Sequence, residues 1–398
     1  MTPLFLARKT DMKILLTIAG LVIALAQQAF ALDTPARAAL VVDYDTGTVL
    51  LAKNQDEPLP PASMSKLMTL NMVFEALDSG RILLTDKFAV SDHAVHFCGG
   101  TTTCGSSMYL DTRDRVTVED LIKGVIVLSG NDASVVLAEG LAGSEAEFAL
   151  RMNERARELG MLHSTFTNST GWPDPNHRMS ARDLVFLARR LIKHFPQYYH
   201  YFALSEFEFD NRVPNNRFNR NPLLALGIGA DGLKTGHTQE AGFGLVGSAV
   251  RNGRRVIVMI TGLDSAATRE AEAERLVTWA FREFAVTTLF TGNTEIATAD
   301  VWLGDKASVG MAPVEDISML LPYRSIPNVT AHVVFDGPIA APISAGEMLG
   351  ELVINIPDMG PQRFPLAATS DVGAAGFGAR FTTAFGVIRH RIFQDDPL

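Results

Sequence analysis

The sequence predicts an α/β domain, an antiparallel sheet flanked by helices, followed by a small all-β, sandwich-like domain and a C-terminal amphipathic helix. Three observations carry this prediction. Between residues 32 and 284, strand-like runs alternate with stretches whose apolar residues recur at helical spacing. From 285 to 370 the helical stripes vanish, and short Val/Ile/Leu/Thr runs are punctuated by Gly, Pro and Asp. Between 375 and 393, Phe377, Phe381, Phe385, Ile388 and Ile392 fall on one helical face, with Arg380, Arg389, His390 and Arg391 beside them.

In chain order, the first element is a leader. Arg8, Lys9 and Lys13 precede an apolar run from Ile14 to Ala26, and Ala29-Phe30-Ala31 offers small residues for cleavage, so residues 1–31 read as a secretory signal peptide. The run is shorter than the ~20 residues of a spanning helix, which disfavours a membrane anchor. Met12 offers an alternative start. Ala38 to Val42 and Thr48 to Ala52 then form a hairpin around Asp45-Thr46-Gly47. A helix is expected from Ser63 to Leu77, entered through Pro60-Pro61 and closed by Gly80. Val118 to Leu162 is helical in pattern with a break at Ser129-Gly130-Asn131. The segment Gly232 to Gly236 and the runs Gly244 to Val250 and Arg255 to Gly262 are adjacent antiparallel strands, the last two joined through Asn252-Gly253. Glu270 to Phe284 returns to helical periodicity.

With 398 residues, 47% hydrophobic and 20% charged, the chain is long enough for two or three packed domains. A net charge of -9 opposes a phosphate-backbone binder, which would concentrate Lys and Arg, so nucleic acid is excluded as a partner class. Export gives the only two cysteines, Cys98 and Cys104, an oxidising compartment, which favours a disulfide closing a small Gly/Thr loop. His93 and His96 lie just upstream and keep a metal site open as a second reading, although the spacing matches no common zinc pattern; unpaired thiols are a third.

Chemistry concentrates in three triplets. Ser63-Met64-Ser65-Lys66 places a hydroxyl and an amine one helical turn apart, within proton-transfer reach. Serine becomes a competent nucleophile only when a base takes its proton, and lysine can do so only if burial or nearby positive charge displaces its own. Alone, Ser-x-x-Lys arises by chance about once in a chain of this length. Here it is followed by Ser129-Gly130-Asn131 in a helix break and Lys234-Thr235-Gly236 in a strand, and that order is the signature of penicillin-binding proteins and serine β-lactamases.

With their flanks, Pro61-Ala62-Ser63-Met64-Ser65-Lys66-Leu67-Met68-Thr69, Ser129-Gly130-Asn131-Asp132-Ala133 and Asp231-Gly232-Leu233-Lys234-Thr235-Gly236-His237-Thr238, the chain resembles the low-molecular-mass D-alanyl-D-alanine carboxypeptidases. Asn219-Arg220-Asn221, Ser180-Ala181-Arg182-Asp183, Arg269-Glu270-Ala271-Glu272 and the β-rich C-terminal domain extend the likeness over nearly all of the mature chain. The resemblance implies a transpeptidase/β-lactamase-like domain and a penicillin-sensitive enzyme that removes the terminal D-Ala from peptidoglycan pentapeptides. It implies that Ser63 attacks the D-Ala-D-Ala bond, that Lys66 is its base, and that Ser129 relays a proton to the leaving amine. Asn131 would hold the peptide amide, and Lys234 would place positive charge near Ser129. Thr235 and Arg269 would meet the terminal carboxylate, with Arg220 as an auxiliary, and the N–H groups of Ser63 and His237 would form the oxyanion hole. Gly236 would let the strand approach the substrate closely. No metal or organic cofactor is implied, because nucleophile, base and oxyanion donors all come from the chain.

The likeness further implies an exported, periplasmic enzyme attached peripherally to the outer face of the cytoplasmic membrane through the 375–393 helix; docking of that helix on its own domain is the competing reading. Homodimerisation stays open. The stretch His93 to Ser107 departs from the relatives, whose corresponding loop lacks this cysteine pair. A class A β-lactamase would need a Glu-x-x-Leu-Asn segment between Asn131 and Lys234, and none is present. A catalytically silent scaffold is opposed by the intact Ser63, Lys66, Ser129, Asn131 and Lys234, and D,D-endopeptidase action on crosslinks remains an alternative activity.

Overall fold

The computed structural model describes residues 32–96, 106–213, 215–357 and 359–376. The leader over 1–31, Cys98, Cys104 and the tail from Phe377 onward lie outside these described residues. The chain divides into two compact units, 1–280 and 281–398.

In the first unit, β1 (Ala38–Asp43) and β2 (Val49–Lys53) form the expected hairpin, and the Asp43 carboxylate accepts hydrogen bonds from Thr46 N–H and Oγ1 to close the turn. Every residue of β1 is buried, because it sits inside the sheet rather than at its edge. A 3₁₀ turn, Ala62–Ser65, leads into α1 (Lys66–Asp78), so the predicted helix begins three residues later than Ser63. Helix α1 is buried nearly all round, from Leu67 and Met68 to Asn71, and runs through the domain centre instead of covering one face. Gly80, at φ +68°, ends it as expected.

Strands β3 (Lys87–Ala89) and β4 (Arg115–Thr117) pair as a short ribbon, with helix α2 (Asp92–His96) between them in sequence. Thr117 caps α3 (Val118–Val127) by accepting from Asp120 N–H at 3.1 Å. The predicted break at Ser129-Gly130 separates α3 from α4 (Asn131–Ala142). A second break, not anticipated, separates α4 from α5 (Glu145–Glu158): Gly143 takes φ +83° and Ser144 Oγ caps Glu147 N–H at 3.2 Å. Helix α6 (Ala181–His194), capped by Ser180, was also absent from the sequence reading; its buried stripe of Leu184, Leu187, Ala188 and Leu191 packs on β1 and the later sheet.

Strands β5 (Ala230–Thr238), β6 (Gly242–Arg251) and β7 (Arg254–Leu263) complete an antiparallel sheet of order β2-β1-β7-β6-β5, and Asn252-Gly253 makes the β6–β7 turn as expected. Strand β5, carrying the third motif, is therefore a sheet edge. Helix α7 (Ala266–Glu283) follows, four residues longer at its start than predicted.

The second unit is β-rich. Strands β8 (Phe284–Phe290), β9 (Ala297–Trp302), β10 (Ser308–Pro313), β11 (Ile317–Pro322), β12 (Thr330–Val334), β13 (Ile339–Ala340), β14 (Met348–Ile356) and β15 (Met359–Ala368) arrange as a six-stranded sheet, β12-β14-β15-β10-β9-β13, and a β8–β11 ribbon. The ribbon and the sheet share one core, in which Ile317 and Leu321 meet Val309, Met311, Ile354 and Leu366. Among the described residues, no helix is long and apolar enough to cross a membrane.

Candidate active site

Three elements of the first unit converge on one cleft: the 3₁₀ turn with Ser63, the α3–α4 break with Ser129 and Asn131, and the edge strand β5 with Lys234 to Thr238. Close packing of the turn against β5 explains Gly236. A Cβ there would lie 2.9 Å from the Pro61 carbonyl oxygen and 3.1 Å from Met64, so the glycine is required by the turn beneath it. Ala62 and Ser129 both hold positive φ, +48° and +58°, a conformation that costs a non-glycine residue energy and is kept where packing over-determines it.

Ser63 is half-buried and opens on a cleft of about 240 Å³ lined also by Ser106, Asn131, Thr170, Gly171, Trp172, His237 and Thr238. Beneath it Lys66 is fully buried, with Nζ 2.9 Å from Ser63 Oγ, 2.7 Å from Asn131 Oδ1 and 2.8 Å from the Thr170 carbonyl. None of these three partners is charged. Burial first, and the Arg220 guanidinium second, pull the Lys66 ammonium down to about 7. The geometry also directs the free base. Asn131 Oδ1 and the Thr170 carbonyl can only accept, so they keep the two N–H bonds of a neutral amine and leave its lone pair facing Ser63 Oγ.

Lys234, also buried, donates to Ser129 Oγ at 3.0 Å and to the Thr235 carbonyl at 3.1 Å. Burial and the positive charges of Lys66, Arg220 and Arg269 push its ammonium well below the ordinary lysine range. Arg220 donates to Ser106 Oγ at 2.7 Å. The His237 ring stacks on Phe243, centroids 3.9 Å apart, and the Arg269 guanidinium lies 5.9 Å from the centroid of the same ring. Buried Arg269 Nε has no hydrogen-bond partner among the described residues. His93 Nε2 meets Glu145 at 2.9 Å, and His96 Nδ1 meets the Asp92 carbonyl at 2.8 Å; the described residues hold no cluster of three or more metal-ligating side chains.

The sequence reading did not single out a fourth wall of the cleft. Residues 165–178 leave and return through paired Thr165 and Arg178. The Asn168 carboxamide oxygen gathers the N–H groups of Thr170, Gly171 and Trp172 at 3.1, 2.8 and 3.1 Å, which shapes the excursion and turns the Thr170 carbonyl toward Lys66. That carbonyl is backbone, so no residue-type signal marks it. Trp172 stands half exposed over the cleft.

A serine hydroxyl facing a buried, depressed lysine at the edge of an α/β sheet defines the class, an active-site serine enzyme. Residues 24–265 match the family model described as D-alanyl-D-alanine carboxypeptidase, and residues 284–374 that of the penicillin-binding protein 5 C-terminal domain. The chain is 36% identical to the D-alanyl-D-alanine carboxypeptidase DacD of Escherichia coli over 87% of this chain and 89% of that one. Among solved structures, penicillin-binding protein 5 of Haemophilus influenzae aligns with TM-score 0.67 at 33% identity, covering 87% of this chain and all but 1% of that one (99%). The cefotaxime-bound penicillin-binding protein D2 of Listeria monocytogenes aligns with TM-score 0.56 at 31% identity over 63% of this chain and 99% of its own. The chain belongs to the D-alanyl-D-alanine carboxypeptidase family of serine peptidases, the low-molecular-mass penicillin-binding proteins.

Proposed function

We propose that this protein removes the terminal D-Ala from peptidoglycan pentapeptide stems through an acyl-enzyme on Ser63, and that penicillins acylate the same oxygen. The observation that carries the reading is Lys66 Nζ, buried and depressed, held by two uncharged acceptors with Ser63 Oγ as its third neighbour. In this reading Lys66 takes the Ser63 proton as Oγ bonds the penultimate D-Ala carbonyl carbon. The amide C–N bond then breaks, and the leaving nitrogen takes the Ser129 hydroxyl proton, which Lys234 replaces across their 3.0 Å contact. Water next attacks the ester and its proton refills the depleted relay, while Lys66 returns its proton to Ser63 Oγ. The site ends as it began, with free D-Ala and a shortened stem.

Binding follows from the edge strand. The unpaired side of β5 can hydrogen-bond an extended peptide as an added strand, with its carboxylate toward Thr235 and Arg269 and its remainder toward Thr238 and Trp172. Asn131 holds the peptide amide, Arg220 supports the cleft through Ser106, and the N–H groups of Ser63 and His237 receive the oxyanion. The test is direct: the protein should release D-Ala from a cell-wall pentapeptide, and benzylpenicillin should add its mass to the peptide containing Ser63. A folded protein that takes up penicillin on another residue, or that does neither, sinks the reading. Penicillin uptake on Ser63 without D-Ala release would favour the scaffold.

We also propose export, with residues 1–31 removed, and peripheral attachment through the 375–393 segment, whose apolar stripe and flanking arginines suit an anionic bilayer surface. Phe381→Asp with Phe385→Asp should abolish co-sedimentation with vesicles containing phosphatidylglycerol while leaving D-Ala release intact. Undiminished co-sedimentation would remove the tail from this role.

A further inference from the structure

Among the buried polar groups outside the proposed proton path, one pair links two walls of the cleft. Ser65 Oγ and His177 Nε2 are 2.7 Å apart, both fully enclosed, the first on the turn with Ser63 and the second on the 165–178 excursion. The tautomer follows from the other ring nitrogen. Nδ1 faces the Thr167 N–H at 3.3 Å, and a backbone N–H can only donate, so Nδ1 carries the lone pair and Nε2 carries the proton. Nε2–H therefore donates to Ser65 Oγ. Burial drives the imidazole down to about 4, so this donor is constant through neutral pH. The Phe166 ring meets the imidazole edge-on, with centroids 5.5 Å apart.

We propose that His177 is a positioning residue: its Nε2–H bond to Ser65 locks the 165–178 excursion onto the nucleophile turn and so holds the Thr170 carbonyl against Lys66 Nζ. Other contacts hold the near end of the excursion: Thr69 Oγ1 donates to the Ser169 carbonyl at 2.6 Å, and Ser169 Oγ donates to the Glu145 carboxylate at 2.6 Å. Both engage Ser169, on the side opposite His177; the far limb keeps the Thr165–Arg178 and Leu59–Met179 backbone pairs at its base, so losing the histidine bond removes a side-chain tie between this limb and the nucleophile turn without detaching the loop. The acceptor for Lys66 lies between the two limbs. His177 touches neither the cleft nor Lys66, and its effect on chemistry passes through the loop.

This inference rests on Lys66 as the base. The test uses His177→Leu, His177→Gln and Ser65→Ala in the full chain, reading kcat and KM for D-Ala release, the rate of penicillin acylation and the melting temperature. His177→Leu and Ser65→Ala should each lower kcat and acylation about 30-fold with KM within about twofold, because a misplaced acceptor degrades the reacting geometry and leaves peptide binding alone. Combining them should cost no more than either alone, as expected for one shared bond. His177→Gln, whose amide N–H reaches the position of Nε2–H, should recover kcat to within about threefold of the parent. If His177→Leu fails to fold, Ser65→Ala and His177→Gln still decide. Lowered melting temperatures with kcat unchanged, multiplicative losses in the double variant, or no rescue by glutamine would each overturn the proposal. A parent protein inactive on the pentapeptide would instead overturn the function on which it rests.

Discussion

Lys66→Arg should reduce both D-Ala release and penicillin acylation by roughly 10⁴-fold, although it preserves a positive charge beside Ser63. A guanidinium does not surrender its proton at any working pH, so it cannot accept the one on Ser63 Oγ. It is also a planar fork, and the lysine site offers acceptors suited to a compact nitrogen at 2.7 and 2.8 Å. The same argument sets the pH dependence of the parent. Burial lowers the Lys66 ammonium to about 7, and the reactive form is the neutral amine. The rate of acylation should therefore rise tenfold per pH unit below about 7 and level off above it. Measured acylation by penicillin between pH 5 and 9 checks this; an acid limb near the free-lysine value, or Lys66→Arg retaining a tenth of the activity, would remove Lys66 as the base.

Gly171→Ala should also be strongly damaging, by a mechanical route. Gly171 holds φ +77°, and a Cβ added there would lie 1.9 Å from the Ala62 carbonyl oxygen and 3.0 Å from Ser65 Cβ. Backbone cannot yield as a flexible side chain would, so the 165–178 excursion must lift from the nucleophile turn. That movement carries the Thr170 carbonyl from Lys66 and admits water over a lysine whose proton affinity is set chiefly by burial. A fall in kcat on the order of 100-fold is expected, with a stability loss of about 2–4 kcal/mol from overpacking and the left-handed backbone together. Stopped-flow acylation and thermal melting give the two numbers. Near-parental acylation in Gly171→Ala would show that the loop's contact with the turn is dispensable.

Legibility differed between elements for physical reasons. The β6–β7 hairpin was readable because Asn252-Gly253 supplies the backbone conformation its turn requires. Helix α1 was readable as a helix but not as a central one: the buried residues Asn71 and Thr69 look like a solvent face in sequence, and are enclosed here because Asn71 meets Arg190 and Glu75 and Thr69 meets Ser169. The break at Gly143-Ser144 carries a local N-cap signal, Ser144 ahead of Glu147. Helix α6 has a clean apolar stripe of its own, so it too is legible locally.

At the site, the sequence by itself determined which side chains are the candidates for chemistry. Ser63 with Lys66, Ser129 with Asn131, and Lys234 stand out because nucleophile activation needs those residue types at local spacings of two or three positions, and local spacing is what a chain displays. Tertiary structure alone decided the environment that makes them reactive. Burial, which strips solvent from Lys66, is what suits it to the base role proposed for it, and Asn131 and Thr170, 65 and 104 residues away in the chain, take two of its hydrogen bonds. The Thr170 carbonyl, the Ser65–His177 bond and the Arg269–Phe243–His237 stack involve backbone atoms or partners distant in sequence. No local pattern encodes such contacts, because desolvation and long-range hydrogen bonding exist only once the chain has closed around them.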